Sequence, residues 1–195
     1  MKKFFIISVI ISLFSSLLAS QNINTKGDVL INGKKLTKST VIKIGDFIET
    51  KKNSKIKFNI GPNAFLAKGK SKFKLEDSKG VKTLNVLAGG VLAVFKKGDG
   101  KHAVKTPNMT AGIRGTGVYL THDEHADKSY FCTCYGKTHL HTQKEEFNLE
   151  ATHHNMLWIK EDGSTKPEMK MMGHSDEDLR ELEAFVGRIP EFDMK

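Results

Sequence analysis

Cys132 and Cys134 stand in the stretch 130–136, YFCTCYG, and they are the two cysteines of a 195-residue chain. Two thiols one residue apart, flanked by aromatics, can close a disulfide, hold a metal ion or sit inert in a core. On a strand, residues two apart share a face, and a rise of about 3.3 Å per residue puts their Cα atoms roughly 6.6 Å apart. Disulfides span about 4.4–6.8 Å between Cα atoms with well-angled Cβ bonds, so a Cys-x-Cys bridge is barely reachable and strained. A strained bridge is labile, which is the chemistry of a thiol–disulfide redox protein. Inert thiols would behave as small buried apolar groups. Two thiolates on one face can instead share one metal.

The histidines favour the metal. His139 and His141 follow the cysteines at strand spacing in KTHLHT, His153 and His154 are adjacent, and His174 opens the tail. Thiolate and imidazole together suit zinc or copper, and two of each complete a tetrahedron. Adjacent residues of a strand point to opposite faces, so one of His153 and His154 is expected to ligate. The expected ligands are Cys132, Cys134, His153 or His154, and His174, with His139 and His141 as rivals. The linear spacing matches no standard zinc-finger pattern. The labile Cys132–Cys134 disulfide and the inert pair stay open as alternatives.

Export sets the redox setting of these thiols. The chain begins MKKFFIISVIISLFSSLLASQN. Two lysines, an apolar run over 4–18 and small residues at Ala19 and Ser20 are the parts of a secretory signal peptide, placed at 1–20. The run is shorter than the roughly 20 residues of a membrane span. Cleavage predicts a periplasmic or secreted protein without a stable membrane anchor, in a compartment where free thiols tend to oxidise. The full chain carries a formal charge of +9, and Lys2 and Lys3 leave with the signal peptide. The remaining lysines are spread over polar strand faces, which argues against nucleic acid and leaves an envelope protein or an anionic cell-surface polymer as partner.

The elements that must position the thiols are strands. VLING ends in Asn32-Gly33, a hairpin turn signal. SKIKFNI alternates Ile56, Phe58 and Ile60 with Lys55, Lys57 and Asn59, one face buried and one wet. TLNVLAGGVLAVF is more continuously apolar and reads as two strands around Gly89-Gly90. The expectation is an all-β domain over 25–160, twisted and solenoid-like or sandwiched. A polar linker follows over 161–174. A short amphipathic α-helix over 175–187 starts at Ser175, with Asp178 in capping-box position, buries Leu179, Leu182, Phe185 and Val186, and stops at Gly187.

The stretch LAGGVLAVF…VKTPNMTAGIRGTGVYL resembles the FecR domain family. The matching features are a glycine-marked hairpin, the Thr106-Pro107 step and the Gly112-Ile113-Arg114-Gly115-Thr116 core. The opening GDVLINGKKLTKSTVIKIGDFIET is also similar to that family, and the later YFCTCYG, THHNMLWI and tail helix resemble a subgroup of short exported FecR-domain proteins. The resemblance implies a twisted all-β periplasmic fold. The better-known FecR proteins are sigma-factor regulators with a cytoplasmic anti-sigma segment. Only Met1, Lys2 and Lys3 precede the apolar run here, so that segment is expected to be lacking. From its residues, Arg114 is expected to be structural, fixing a glycine-rich corner through carbonyls or a carboxylate. A phosphate cradle is disfavoured because the following VYLTHD is strand-like rather than helical.

No Ser-His-Asp constellation or paired-acid motif stands out, and the Cys-x-x-Cys of thioredoxin-like redox enzymes is missing. The expectation is therefore a non-enzymatic binding or scaffold protein, with thiol–disulfide redox chemistry or ligand sensing for a separate membrane regulator as alternatives.

Overall fold

A computed structural model describes residues 21–194; the expected signal peptide, 1–20, lies outside the described residues. In chain order come β1 Ile23–Lys26, β2 Val29–Ile31, β3 Lys34–Lys35, β4 Phe47–Thr50, β5 Lys55–Ile60, β6 Asn63–Lys68, β7 Lys72–Ser78 and β8 Val81–Val94. They are followed by β9 Lys101–Thr106, β10 Met109–Ile113, β11 Gly117–Asp123, β12 Lys128–Thr142, β13 Glu146–Ala151, β14 Asn155–Ile159, β15 Thr165–Glu168 and α1 Asp176–Ala184. The domain is all-β with one C-terminal helix.

Two long strands organise it. β8 and β12 each begin in one sheet and end in the other. The first sheet runs β1-β5-β6-β8-β11-β12-β14-β15 and the second β3-β2-β4-β7-β8-β9-β10-β12-β13. The strands β8, β9, β10, β12 and β11 close into a five-membered ring, in which β8 and β9 are parallel. The inner faces of both sheets enclose the main core, built on Ile48, Ile56, Phe58, Phe73, Leu84, Val91, Leu120 and Phe131.

The first sheet is buried on its outer face as well. Along β8, Val91 and Ala93 point into the main core, whereas Leu92 and Val94 join a second apolar layer under α1. Ala64 and Leu66 of β6 and Tyr119 of β11 belong to that same outer layer. Burial on both faces is why these strands read as continuous apolar runs rather than alternating ones. The expected wet face of SKIKFNI is corrected for the same reason: Lys57 is only 8% exposed, pairs with Glu181 of α1 at 2.7 Å and lies over the Phe185 ring.

Two further expectations are corrected. LAGGVLAVF is one continuous strand, not a glycine hairpin. Gly90 is needed because a Cβ there would come within 2.1 Å of the Tyr119 hydroxyl, and Gly89, at φ +63°, bends the strand from one sheet into the other. The stretch 161–174 is not wholly linker, since its middle forms β15 on the edge of the first sheet. Thr165 there donates to Glu145 at 2.5 Å, and the Trp158 indole of β14 donates to Glu168 at 2.9 Å. By contrast, Asn32-Gly33 forms the hairpin turn between β2 and β3, both residues at positive φ.

The helix forms as its sequence indicates. The Ser175 hydroxyl accepts from the Asp178 N–H, and the Asp178 carboxylate accepts from the Ser175 N–H, a complete capping box. Leu179 and Leu182 are fully buried on the outer layer of the first sheet, with Phe185 and Val186 packed at its margin. Lys68–Asp178 at 2.6 Å and Lys55–Glu181 at 3.0 Å border the contact. The buried Glu183 receives both Arg188, at 2.5 Å, and the Tyr135 hydroxyl.

Candidate metal centre

The outer layer is where the cysteines lie. β12 carries Tyr130 and Cys132 outward at period two, with Phe131 inward. A bulge then breaks the alternation: Gly117 pairs with Tyr135 and Val118 with Thr133, which leaves Cys134 as the extra residue. A bulge re-aims the side chains at its position, and Cys132, Cys134 and Tyr135 all face the outer layer. Both thiols are fully buried and unbridged, their sulfurs 3.7 Å apart.

Two histidines meet them. His154 sits in the turn between β13 and β14 with a left-handed φ of +52°, its N–H bonded to the Cys134 carbonyl at 2.9 Å. Its Nδ1 is 3.3 Å from Cys132 Sγ. His174, immediately ahead of α1, places Nε2 at 3.5 Å from Cys134 Sγ. All four donor atoms lie within 4.8 Å of one another. Metal–sulfur bonds of about 2.3 Å and metal–nitrogen bonds of about 2.0–2.1 Å in a tetrahedron put the two sulfurs about 3.8 Å apart and sulfur about 3.6 Å from nitrogen. The three measured edges match this within a few tenths of an ångström.

The remaining ring nitrogens are already engaged. His154 Nε2 donates to Asp176 Oδ1 at 2.8 Å, and His174 Nδ1 donates to the Met172 carbonyl at 2.9 Å. A carbonyl and an ionised carboxylate only accept, so in the neutral imidazole each bond fixes the tautomer that turns the other nitrogen's lone pair toward the sulfurs. Orientation of a ligating histidine by a carboxylate or carbonyl is the usual support of a metal site. The His174 ring also stacks on Tyr119 with centroids 4.5 Å apart.

The electrostatics of the cluster set its two thiols apart. Burial opposes ionisation of Cys132, but hydrogen bonds from Cys134, His154 and His174 outweigh it and hold this thiol well below its usual range. Burial and then the neighbouring Cys132 thiolate push Cys134 well above it. Burial likewise opposes a charged His154, but Cys132 and Asp176 overcome it and raise its pKa. A divalent cation held by the four donors would favour ionisation of both thiols.

Of the other sequence candidates, His153 does not reach the thiols. It is exposed, packs at a tilt against His154 and shares Asp176 at 3.0 Å. The two histidines do not take opposite faces, because they occupy a turn rather than a strand. His139 and His141 lie on the exposed outer face of the second sheet beside Glu146. Thr106 is buried and accepts from Ser129 at 2.8 Å, and Pro107 turns β9 into β10. Gly112 lies exposed on β10. The corner beyond it is held by Gly115, at φ +65°, and by Thr116 donating to the Lys137 carbonyl at 3.1 Å. Arg114 is exposed and makes none of the carbonyl or carboxylate bonds expected of it among the described residues. Sequence reasoning missed Asp176 as a partner of the site: as the first acid after a helix cap it reads as a response to the helix dipole. Tyr119 and Met172 carried no signal in the sequence.

No protein-family model and no curated protein matches the chain. Among solved structures its fold is similar to two crystal structures of a "putative anti-sigma factor" from Parabacteroides distasonis, each at TM-score 0.55 and 8% identity. The match covers 63% of this chain and 58% of that one, so the chain spans less than two thirds of that protein. At this identity the likeness is one of fold. Fold and site together define a two-sheet β-domain with a C-terminal helix across one sheet and a buried Cys2His2 cluster beneath the helix's leading end.

Proposed function

We propose that this protein is a periplasmic FecR-like binding scaffold that holds one transition-metal ion through Cys132, Cys134, His154 and His174. The observation that carries the reading is the donor set itself: two sulfurs and two nitrogens all within 4.8 Å of one another, three of their separations near tetrahedral edge lengths, each imidazole oriented by a second bond. A tetrahedral set of two sulfurs and two nitrogens favours zinc, with copper as the alternative. Four protein ligands leave no open coordination position, which is the pattern of a structural rather than a catalytic zinc. On this reading the protein acts as a non-enzymatic binding scaffold. Support for the FecR-like part comes from the motif residues around Thr106-Pro107 and Gly115-Thr116 and from the fold shared with the anti-sigma-factor structures. Among the described residues no helix is long and apolar enough to cross a membrane. The partner on this reading is an envelope protein or a cell-surface polymer.

The test is elemental analysis and thiol alkylation of protein purified without chelator. About one zinc or copper per chain is expected, with both thiols resisting alkylation until the ion is removed. A metal-free protein carrying a Cys132–Cys134 bridge in its peptide map would put the redox reading in its place. The depressed Cys132 thiol is the observation that favours that second reading.

A further inference from the structure

The four donors come from two parts of the chain whose covalent link runs through β14, β15 and the segment after it, and which meet again where α1 packs on the first sheet. Cys132, Cys134 and His154 belong to β12 and the β13–β14 turn, inside the ring-bearing β-domain. His174 belongs to the tail, one residue ahead of the helix cap, and Asp176, which orients His154, is the first residue of α1. Any ion bound by all four donors therefore pins the start of the helix to the first sheet. Resting on the metal reading above, we infer that the ion is a latch: its occupancy controls whether the C-terminal segment covers the outer face of the first sheet.

The geometry names the ligand at which the latch opens. A cavity of about 260 Å³ lies beside the site, lined by Leu66, Gly90, Tyr119, Gly173 and His174. Of the four donor residues, His174 lines it; Cys132, Cys134 and His154 do not. Gly173, at φ +74°, is the joint. A Cβ there would come within 2.1 Å of the Tyr119 hydroxyl, so the chain can pass only with glycine at this point, and the next residue lays its ring against Tyr119. His174 is the donor that both borders this cavity and belongs to the tail, so it is the ligand whose loss frees the segment. Beneath the released segment lies the apolar layer of Ala64, Leu66, Leu92 and Val94 that Leu179 and Leu182 now cover. The protein thus converts metal occupancy into exposure of a sheet face.

Coupling of this kind is reciprocal: if the ion strengthens helix docking by some factor, docking strengthens ion binding by the same factor, commonly about 5- to 150-fold. The experiment is amide hydrogen exchange on the wild-type protein, loaded with zinc and then stripped by a chelator, with zinc content measured on the same samples. Stripping is expected to speed exchange across α1 by a factor in that range and to leave the ring strands β8 and β10 protected; added zinc restores α1. Unchanged α1 exchange after verified zinc removal overturns the latch while leaving the metal site standing. A protein that takes up neither zinc nor copper overturns the metal reading, and the latch with it. A second arm uses Leu182→Ala, which weakens docking without touching a ligand. Its zinc affinity is expected to fall by a comparable factor, and an affinity equal to that of the wild type overturns the coupling.

Discussion

The two halves of β12 make an instructive pair. Cys132 and Cys134 stand two residues apart in the first half, His139 and His141 two apart in the second, all four metal-competent. In the first half the outward face is roofed by the C-terminal segment, and the thiols are fully buried against His154 and His174. In the second half the outward face meets solvent, and His139 pairs at 2.7 Å with Glu146 of the neighbouring strand. Spacing is the same in both halves. What separates a candidate metal centre from a solvent-facing His–Glu cluster is the cover, which desolvates one face and brings the fourth donor.

The largest effect should come from exchanging the halves' roles. Cys132→Ser with Cys134→Ser is expected to abolish metal binding, because the remaining two imidazoles lack the thiolates that neutralise the ion. His139→Ala with His141→Ala is expected to leave metal content at one per chain. Elemental analysis of both double variants reads the comparison directly, and loss of metal in the histidine pair would mean that the wrong half had been chosen.

Acid is the next lever, and its sign differs between the states with and without metal. In the metal-free protein, burial works against charged His154 while Cys132 and Asp176 more than compensate, so its pKa lies above the ordinary 6.5. A raised basic group stabilises the fold fully below its unfolded value and loses that contribution as pH rises through the folded one. Metal binding needs this imidazole neutral and both thiols ionised, so affinity should climb through the same window. Thermal melts across pH should therefore show the zinc-dependent gain in stability growing as pH rises past 6.5. A gain that is flat or shrinks on that side would break the assignment of His154 as a ligand.

How much of this was legible beforehand follows the same division. Strand patterning reported the main core, because Ile56, Phe58 and Phe73 face one inner layer at period two. The helix announced itself through Ser175, Asp178 and the Leu179–Leu182 spacing. The Cys/His inventory named all four donors. The partnering of those donors was not legible, for two physical reasons. Cys132 and Cys134 share the outward face as period two indicates, but His174 comes to Cys134 from forty residues further along, out of a stretch whose sequence reads as linker. His153 and His154 lie in a turn, where the rule of alternating faces does not operate. The cover itself was visible only as apolar runs without alternation, and LAGGVLAVF was therefore read as two strands around Gly89-Gly90 instead of one strand buried on both sides.

A smaller change sharpens the role of the helix start. Asp176→Asn keeps size and place but removes the charge that fixes His154 with Nδ1 free. Loss of such an orienting partner typically weakens metal affinity by about 10- to 100-fold. Competition titration against a chromophoric chelator measures it. Glu146→Gln, the matching change beside His139 in the exposed half, should leave the affinity unaltered. An Asp176→Asn protein with wild-type affinity would show that the cover acts by desolvation alone.

The smallest expected effect belongs to His153, and it is informative because the residue sits so close. Its Nε2 lies 3.0 Å from the same Asp176 carboxylate that orients His154, and its ring packs at a tilt against His154 and Phe192. If proximity decided ligation, His153→Ala would cost as much as His154→Ala. Its ring is half exposed and has no sulfur within bonding reach, so the ion would lose nothing in its first coordination sphere. Removing it leaves Asp176 bonded to His154 alone, which strengthens the orienting bond slightly and offsets the lost packing. The expected change in stability or zinc affinity is within about 0.5 kcal/mol, roughly twofold, as for surface positions generally. His154→Ala, by contrast, deletes a ligand and should release the ion. Comparable losses in both variants would mean that Asp176 and the two histidines bind the ion as a second cluster, and that the buried thiols are not its centre.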